Sequence, residues 1–79
     1  MAGLSFSDEY GEMLVLLKRA RKAAGLTQVE VARAMERTQS FISKIERGEI
    51  RIDPIELQRF AKLYGVEVTA LLPPDRAGA

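Results

Sequence analysis

Five polar side chains of types that hydrogen-bond to nucleic acids lie close together near the middle of this 79-residue chain. Placed at 100° steps around a helix, they fall within an arc of about 140° that contains no aspartate or glutamate. Their donors and acceptors match base edges and phosphates in the major groove of DNA. The alternative interpretation is an ordinary solvated helix face. The five residues are Gln39, Ser40, Ser43, Lys44 and Arg47.

The same face offers one pair that could serve catalysis. Ser40 and Lys44 stand at i and i+4 on the predicted helix, the spacing at which a nucleophile and a base can meet. The chain has no cysteine and no histidine, so the usual general base and the usual zinc ligands are missing. No third group that would orient the pair is evident from the sequence. We therefore expect neither an enzyme nor a metal or cofactor site.

Two short helices are predicted to present this face. Thr27 is suited to cap the first helix, with Glu30 completing a capping box, and Thr38 is suited to cap the second. Only two residues remain between them for a turn, so the helices are expected to cross steeply as a helix-turn-helix unit. Each helix has apolar residues on one side, Val31, Ala32 and Met35 in the first and Phe41, Ile42 and Ile45 in the second.

A longer helix is predicted to precede this unit. Ser7 or Asp8 can cap it, and it runs to about Ala24, where Gly25 favours a stop. Three basic residues near its end suit the negative end of the helix dipole, and they also suit contact with phosphates; the sequence leaves both interpretations open. These residues are Lys18, Arg19 and Lys22.

Two further helical segments are predicted after the central unit. Asp53, Pro54 and Glu56 have the types that begin a helix, and Gly65 favours its end. A last short helix is expected over residues 67–72, before the two prolines. The predicted fold is thus all-α, a compact bundle of five helices spanning residues 7–72, with a flexible N-terminus at 1–6 and a flexible tail at 73–79.

Length and composition favour one small globular domain. The hydrophobic fraction is 47% and the charged fraction is 29%, values that are ordinary for a folded chain. The longest apolar run is far shorter than the roughly 20 residues that a membrane helix needs. No basic residue precedes Lys18, so the start does not resemble a signal peptide. We expect a cytoplasmic protein with no membrane association.

The net charge of +1 conceals an uneven distribution. Residues 1–17 contain three acids and no base, whereas residues 18–51 contain nine bases and four acids. The positive excess therefore lies on and around the predicted helix-turn-helix unit. Such a distribution suits a surface that binds a polyanion, although surface lysines and arginines also serve solubility alone.

The central motifs carry a resemblance to a known family. Leu26-Thr27-Gln28, then Val31-Ala32, then the run TQSFISKIERG at 38–48 resemble the helix-turn-helix domain of Cro/C1-type phage repressors, the XRE family. The resemblance implies a lambda-repressor-like fold and double-stranded DNA as the partner. It also implies roles for individual positions. Base reading would fall to Gln39, Ser40, Ser43 and Lys44, and phosphate contact to Thr27, Gln28, Arg47 and Arg51.

The resemblance also implies one ion pair, and the sequence departs from the family at one position of the turn. Arg21 and Glu46 occupy places that form an ion pair in the family, which would tie the first helix to the recognition helix. Glu36 departs from the family, because many members have glycine there and the backbone tends toward positive φ. Either Glu36 accepts strain on the order of 1 kcal/mol or the turn differs. Phe41 is a core residue in one interpretation and a thymine-methyl contact in the other.

Several apolar residues fall outside the inward stripes of their predicted helices. Scattered surface apolar residues are normal, but this number in a short chain indicates a partner surface, and a second copy is the expected partner. The predicted homodimer interface comprises Ile50, Ile52, Ile55 and Leu63. Val15, Val68 and Leu72 are further residues of this kind.

The function expected from the sequence is regulation of transcription. A homodimer would bind a pseudo-palindromic operator with helix 38–47 of each copy in the major groove. Repression is favoured over activation, and control by protein concentration is expected in place of a small-molecule effector. Restriction-modification controller proteins resemble this arrangement. The alternative is a helix-turn-helix scaffold used as a protein–protein adaptor or antitoxin module.

Overall fold

Four α-helices and one 3-10 helix make up the fold. The computed structural model describes the backbone of residues 6–74 and the side chains of residues 9–74. Within this range there is no strand, and no helix is long and apolar enough to cross a membrane. The helices are α1 (Phe6–Ala23), α2 (Gln28–Met35), α3 (Gln39–Glu46), α4 (Pro54–Tyr64) and the 3-10 helix (Val68–Leu71).

Side-chain caps fix where three of these helices begin. Thr27 Oγ1 accepts from the Glu30 N–H at 3.1 Å, and Glu30 Oε1 accepts from the Thr27 N–H at 2.9 Å, so the predicted capping box is present. The side chain of Thr38 caps α3, and that of Asp53 caps α4 in a second capping box. Each cap satisfies backbone donors that a helix leaves unpaired at its start. The predicted starts of all three helices are confirmed.

The prediction of an all-α bundle of five helices holds for four α-helices and is wrong at the last element. The segment predicted as a fifth helix forms only the four-residue 3-10 helix Val68–Leu71. Its N-cap residue, Glu67, makes no side-chain cap hydrogen bond, and two prolines follow Leu72. With a weak start and a proline stop, the segment has no room for a regular α-helix. Leu71 is nevertheless fully buried, so this turn closes one side of the core.

The core joins all five elements. α1 packs against α3, α4 and the 3-10 helix, while α2 packs against α3 and α4. α4 and α1 thus pack against the inner faces of α2 and α3, respectively. The outer face of the helix-turn-helix unit is left toward solvent. The buried apolar residues are Met13, Leu17, Val31, Ala32, Ile42, Ile45, Leu57, Phe60, Ala61, Tyr64 and Leu71.

The chain ends fall largely outside the described residues. α1 already includes Phe6, so it begins one or two residues before the caps predicted at Ser7 or Asp8. Residues 1–5 and 75–79, which contain most of the predicted flexible termini, lie outside the described part. Pro73 and Pro74 follow the 3-10 helix without regular structure. The domain limits at 7 and 72 stay predictions.

The four residues predicted as a dimer interface do not share one environment. Ile50, Ile52 and Leu63 are partly buried and pack against the core. Ile55 differs, because 59% of its surface is exposed. The premise that all four lack a place in the core is therefore wrong for three of them. Their burial leaves Ile55 as the one strongly exposed member of the set.

The turn between α2 and α3 places Glu36 in the left-handed region, with φ 57° and ψ 43°. Its N–H donates to the carbonyls of Ala32 and Arg33, which ends α2. Glu36 is the one non-glycine residue with positive φ in the described chain. Of the two possibilities left by the sequence, the strained one is correct. The turn adopts the left-handed conformation with a residue that carries a Cβ atom.

Replacing Glu36 with glycine is expected to raise the free energy of unfolding. A Cβ atom in this conformation costs about 1 to 2 kcal/mol, and the greater freedom of glycine in the unfolded chain offsets about half of it. The expected net gain is about 0.5 to 1 kcal/mol by urea denaturation. Glu36→Gln removes the same charge but keeps the strain, so the difference in stability between the two variants isolates the strain. A Glu36→Gly variant no more stable than Glu36→Gln would contradict the assignment of strain.

Candidate nucleic-acid interface

The polar arc of α3 lies on the surface. Gln39, Ser40, Lys44 and Arg47 are exposed, and Ser43 is half-buried between them. On the opposite side of the helix, Ile42 and Ile45 are fully buried. The structure thus separates the two faces as the periodicity predicts. Among the described residues, the side chains of Ser40 and Lys44 have no hydrogen-bond partner, so both are available to an external ligand.

Two residues predicted to contact DNA are joined to each other. Gln39 Nε2 donates a hydrogen bond to Gln28 Oε1 at 2.9 Å. This bond joins the N-terminus of α3 to the N-terminus of α2. Each amide still has a free end, because an amide group carries both donors and acceptors. The Gln39 carbonyl oxygen can therefore accept from a base edge while the amide nitrogen stays held.

The predicted ion pair between Arg21 and Glu46 is present and nearly buried. Arg21 Nε donates to Glu46 Oε2 at 2.7 Å, and Arg21 Nη2 donates to Glu46 Oε1 at 3.1 Å. The two side chains are 9% and 4% exposed. Arg21 Nη1 also donates to the carbonyl of Leu26 at 2.9 Å, in the connection between α1 and α2. The guanidinium thus holds α3 and the start of the helix-turn-helix unit at once.

The ion pair continues into the α3 surface. Gln28 Nε2 donates to Glu46 Oε1 at 2.9 Å, so Gln28 is bonded to Glu46 on one side and to Gln39 on the other. A chain of side-chain hydrogen bonds therefore runs from Arg21 in the core to Gln39 at the surface. This chain fixes Gln28 and Gln39 before any ligand binds, which lowers the entropy cost of binding.

Tyr64 lies beside the buried ion pair. Its hydroxyl is buried and has no hydrogen-bond partner among the described residues. Burial raises the pKa of Tyr64, the negative charge of Glu46 raises it further, and Arg21 acts in the opposite direction. The phenol therefore stays neutral. Its ring also packs at a tilt against Phe60, with the ring centroids 5.9 Å apart.

Arg47 has anionic and polar partners within the protein. Its Nε donates to Glu49 Oε2 at 2.7 Å, and its Nη1 donates to Ser43 Oγ at 2.6 Å. The hydrogen bond with Glu49 raises the pKa of Arg47, and the same bond lowers the pKa of Glu49 below its ordinary value. Glu49 therefore stays ionised and is already bonded to the guanidinium that the sequence predicts as a phosphate contact. The sequence did not indicate this contact, although the i, i+2 spacing of opposite charges after α3 was a possible signal.

Phe41 is half-buried beneath an arginine. The guanidinium carbon of Arg37 lies 3.9 Å from the centroid of the Phe41 ring, within the range of a cation–π contact. Arg37 Nη2 also donates to Glu56 Oε2 at 2.6 Å. The ring packs against the core on its other side. The core interpretation of Phe41 is therefore supported, and Arg37 covers much of what would face a thymine methyl.

The remaining predicted phosphate contacts lie at two helix ends. Thr27 is exposed at the N-terminus of α2, where unpaired backbone N–H groups favour an anion. Arg51 is exposed in the segment after α3, and its guanidinium lies 4.3 Å from the centroid of the Tyr10 ring. Tyr10 Oη accepts from the Ile52 N–H at 3.0 Å, which anchors this segment to α1. Lys18, Arg19 and Lys22 are also exposed.

Comparisons with known proteins agree with this geometry. A model of the helix-turn-helix domain family matches residues 12–72. An XRE-family like protein from Pseudomonas syringae pv. tomato str. DC3000 has a similar solved structure, with 44% sequence identity and a TM-score of 0.78. That similarity covers 84% of this chain and 80% of the other. The chain belongs to the XRE-type helix-turn-helix family. Among curated proteins, none matches the chain.

Family membership assigns the chain to a class of DNA-binding regulators. XRE-type helix-turn-helix proteins are DNA-binding regulators, and α2 and α3 of this chain are the two helices of that motif. Among the described residues, the side chains of Ser40 and Lys44 make no hydrogen bond, and Lys44 is attracted to the nearby Glu49 carboxylate. Gln39 and Arg47 are instead held by hydrogen bonds.

Proposed function

We propose that this chain regulates transcription by sequence-specific binding to double-stranded DNA. Two copies bind a pseudo-palindromic operator, and α3 of each copy enters the major groove, with the two helices about 34 Å apart. Bound at a promoter, such a dimer would exclude other proteins from the same DNA, so repression is the proposed outcome. Protein concentration, through dimer formation, sets the level of control.

One observation carries this proposal above the others. The outward face of α3 is uncovered, free of acidic residues across its arc, and backed by a rigid core. The proposed readers of base edges are Gln39, Ser40, Ser43 and Lys44. Lys44 can donate to guanine and Gln39 can pair with adenine, with about 1 to 3 kcal/mol of discrimination for each good contact.

The proposed phosphate contacts surround this face. Thr27 and Gln28 stand at the N-terminus of α2, where the backbone also attracts anions. Arg47 and Arg51 flank the other end of α3. Contacts of this type position the protein and strengthen binding to any duplex, so they account for affinity and not for sequence preference.

Selection of bound sequences from random duplex DNA tests the proposal. A sequence-specific dimer should enrich a palindrome whose half-sites are centred about one helical turn apart. Its affinity should fall steeply with salt, because phosphate contacts release counterions. Enrichment of no sequence, together with no salt-dependent binding, would favour the adaptor or antitoxin alternative. A single asymmetric site would retain DNA binding but contradict the dimer.

Glu49 should weaken DNA binding, because it already occupies Arg47. A phosphate must displace this carboxylate or bind beside its negative charge. Glu49→Gln is therefore expected to raise affinity for any duplex by about two- to five-fold at moderate salt. It should also steepen the dependence of log affinity on log salt, by less than the roughly one unit that a complete phosphate contact contributes. Fluorescence anisotropy over a salt series measures both quantities.

Glu67→Gln provides the matched control for this prediction. Glu67 is exposed and precedes the 3-10 helix, and its side chain makes no cap hydrogen bond. The substitution removes the same charge from a site away from α3. If both variants bind DNA equally more tightly, the effect is one of net charge and the specific competition at Arg47 is wrong.

A further inference from the structure

The outer side of α4 carries one large apolar side chain that is not packed against the core. Ile55 is the most exposed of the large hydrophobic residues described, at 59%. Stepping along the helix at 100° per residue places Arg59 and Lys62 on the same outward stripe. In the described structure, neither Arg59 nor Lys62 forms an ion pair. This stripe therefore presents one apolar projection followed by two free cations.

An open groove lies beside the other end of the same stripe. It occupies about 460 Å³ between the C-terminal end of α2 and the second half of α4. Apolar side chains form part of its lining, and charged side chains stand around them. The lining residues are Ala34, Met35, Glu36, Arg59, Lys62 and Leu63. No described side chain of this chain fills the groove.

Ile55 and the groove are spaced along α4 so that Ile55 of each copy can enter the groove of the other. Ile55 and Leu63 lie four residues on either side of Arg59, about 12 Å apart along α4. A two-fold axis passing near Arg59, with the two α4 helices antiparallel, brings Ile55 of each copy to the Leu63 groove of the other. The contact is isologous, so the same patch is used twice and the assembly closes as a dimer.

The charges on α4 suit the same arrangement. Glu56 and Lys62 lie three residues on either side of Arg59, so the antiparallel pairing brings each Glu56 toward the other copy's Lys62. Glu56 Oε2 also accepts from Arg37 Nη2 at 2.6 Å. A carboxylate has two oxygens, so Glu56 can pair with Arg37 of its own copy and with Lys62 of the other. The two Arg59 side chains meet near the axis, where Glu36 of each groove supplies a counter-charge. A parallel pairing would place each charge opposite its own copy and would lose the contact between Glu56 and Lys62.

We propose that the α2–α4 groove is the dimer interface and that its occupant is Ile55 of a second copy of this chain. The proposal rests on the proposed function, because a palindromic operator requires a two-fold dimer. It retains Ile55 and Leu63 from the interface expected from the sequence and adds Met35, Arg59 and Lys62. Ile50 and Ile52 serve only as support from behind, since they are packed toward the core.

Single-cysteine variants test the interface directly, because the chain contains no cysteine. Residues at a two-fold axis face their own copies, so Arg59→Cys should form a disulfide-linked dimer under mild oxidation. Val15→Cys is the matched control, since Val15 is 49% exposed on the outer face of α1. Cross-linking of Arg59→Cys well above Val15→Cys on a non-reducing gel supports the proposal. Equal cross-linking, none, or more in Val15→Cys would overturn it.

A second variant tests the contribution of Ile55 to dimer formation. Ile55→Asp puts a charge at an exposed position, so the fold should persist, and circular dichroism checks this. The dimer dissociation constant from sedimentation should rise at least about ten-fold, whereas Val15→Asp should leave it unchanged. An unchanged constant in Ile55→Asp would overturn the interface. DNA binding by the wild-type protein is measured separately in gel shifts. If the wild type binds a palindrome but Arg59→Cys does not cross-link, the interface is wrong and the proposed function stands.

Discussion

Replacing Glu46 with alanine is expected to lower the free energy of unfolding by about 3 to 5 kcal/mol. The substitution leaves the Arg21 guanidinium buried without its counter-charge, and removing one partner of a buried pair typically costs this much. Arg21 would keep only its bond to the Leu26 carbonyl, at 2.9 Å. Gln28 would also lose its acceptor on Glu46. Urea denaturation followed by circular dichroism measures the change.

The double variant Arg21→Met, Glu46→Leu separates the charge from the packing. Both replacements are apolar, so the uncompensated charge disappears, although they are shorter than the originals and some packing is lost. A buried pair replaced by well-packed apolar residues often costs little. We therefore expect the double variant to recover at least half of the stability lost in Glu46→Ala. A Glu46→Ala loss below about 1 kcal/mol would show that the pair is not a principal support of the fold.

The ion pair also bears on the proposed DNA face. Glu46 is the last residue of α3, and its carboxylate holds Gln28, which in turn holds Gln39. An apolar double variant keeps the core but breaks this chain of hydrogen bonds. DNA affinity in that variant should therefore fall even where stability is recovered. The pair thus links the position of Gln39 to the packing of α1 against α3.

The helix starts could be predicted because their chemistry is local. A cap depends on a residue and its third neighbour, as in Thr27 with Glu30 and Asp53 with Glu56. These contacts form within one turn and need no knowledge of the rest of the chain. The same holds for the stop at Gly65, whose φ is 72°. The ion pair of Arg21 with Glu46 spans 25 residues and came instead from the family resemblance.

The burial of the segment after α3 could not be predicted in this way. Helical periodicity says nothing about Ile50 and Ile52, because neither lies in a helix. Their environment depends on tertiary packing, and on the hydrogen bond from the Ile52 N–H to Tyr10. Gly48 is similar, since it has φ 79° and a Cβ atom there would lie 3.1 Å from Leu14 Cδ1. The sequence indicates a helix stop at this glycine but not the close approach of α1.

The candidate site was predictable as a face but not as a set of contacts. Periodicity assigns each α3 residue a direction, and the exposure of Lys44 agrees with it. It cannot assign the orientation of a long side chain. The bonds of Gln39 to Gln28 and of Arg47 to Glu49 depend on rotamers and on neighbouring elements, so they emerge only from the structure. Under the proposed function, these contacts decide which side chains would exchange partners when DNA binds.

Lys44→Ala should reduce the preference for the selected operator over random duplex DNA by about 10- to 100-fold. A base contact contributes about 1 to 3 kcal/mol of discrimination, and a random sequence lacks the matching edge. Lys44 is the cleanest position for this test, because among the described residues its side chain has no hydrogen bond to lose, and its attraction to Glu49 is through space only. Gln39→Ala should act in the same direction, although it also releases Gln28. The ratio of the two dissociation constants at one salt concentration is the quantity to measure.

Arg47→Ala provides the contrast, since it removes the same charge from the same helix end. A phosphate contact does not depend on sequence, so this variant should weaken operator and random duplex alike. It should also flatten the dependence of log affinity on log salt by about one unit. Without Arg47, the negative charge of Glu49 is no longer compensated near the DNA. This strengthens both the loss of affinity and the change in salt dependence. If Lys44→Ala and Arg47→Ala lower the two affinities in the same proportion, the outward face of α3 contacts only phosphates, and sequence is read elsewhere.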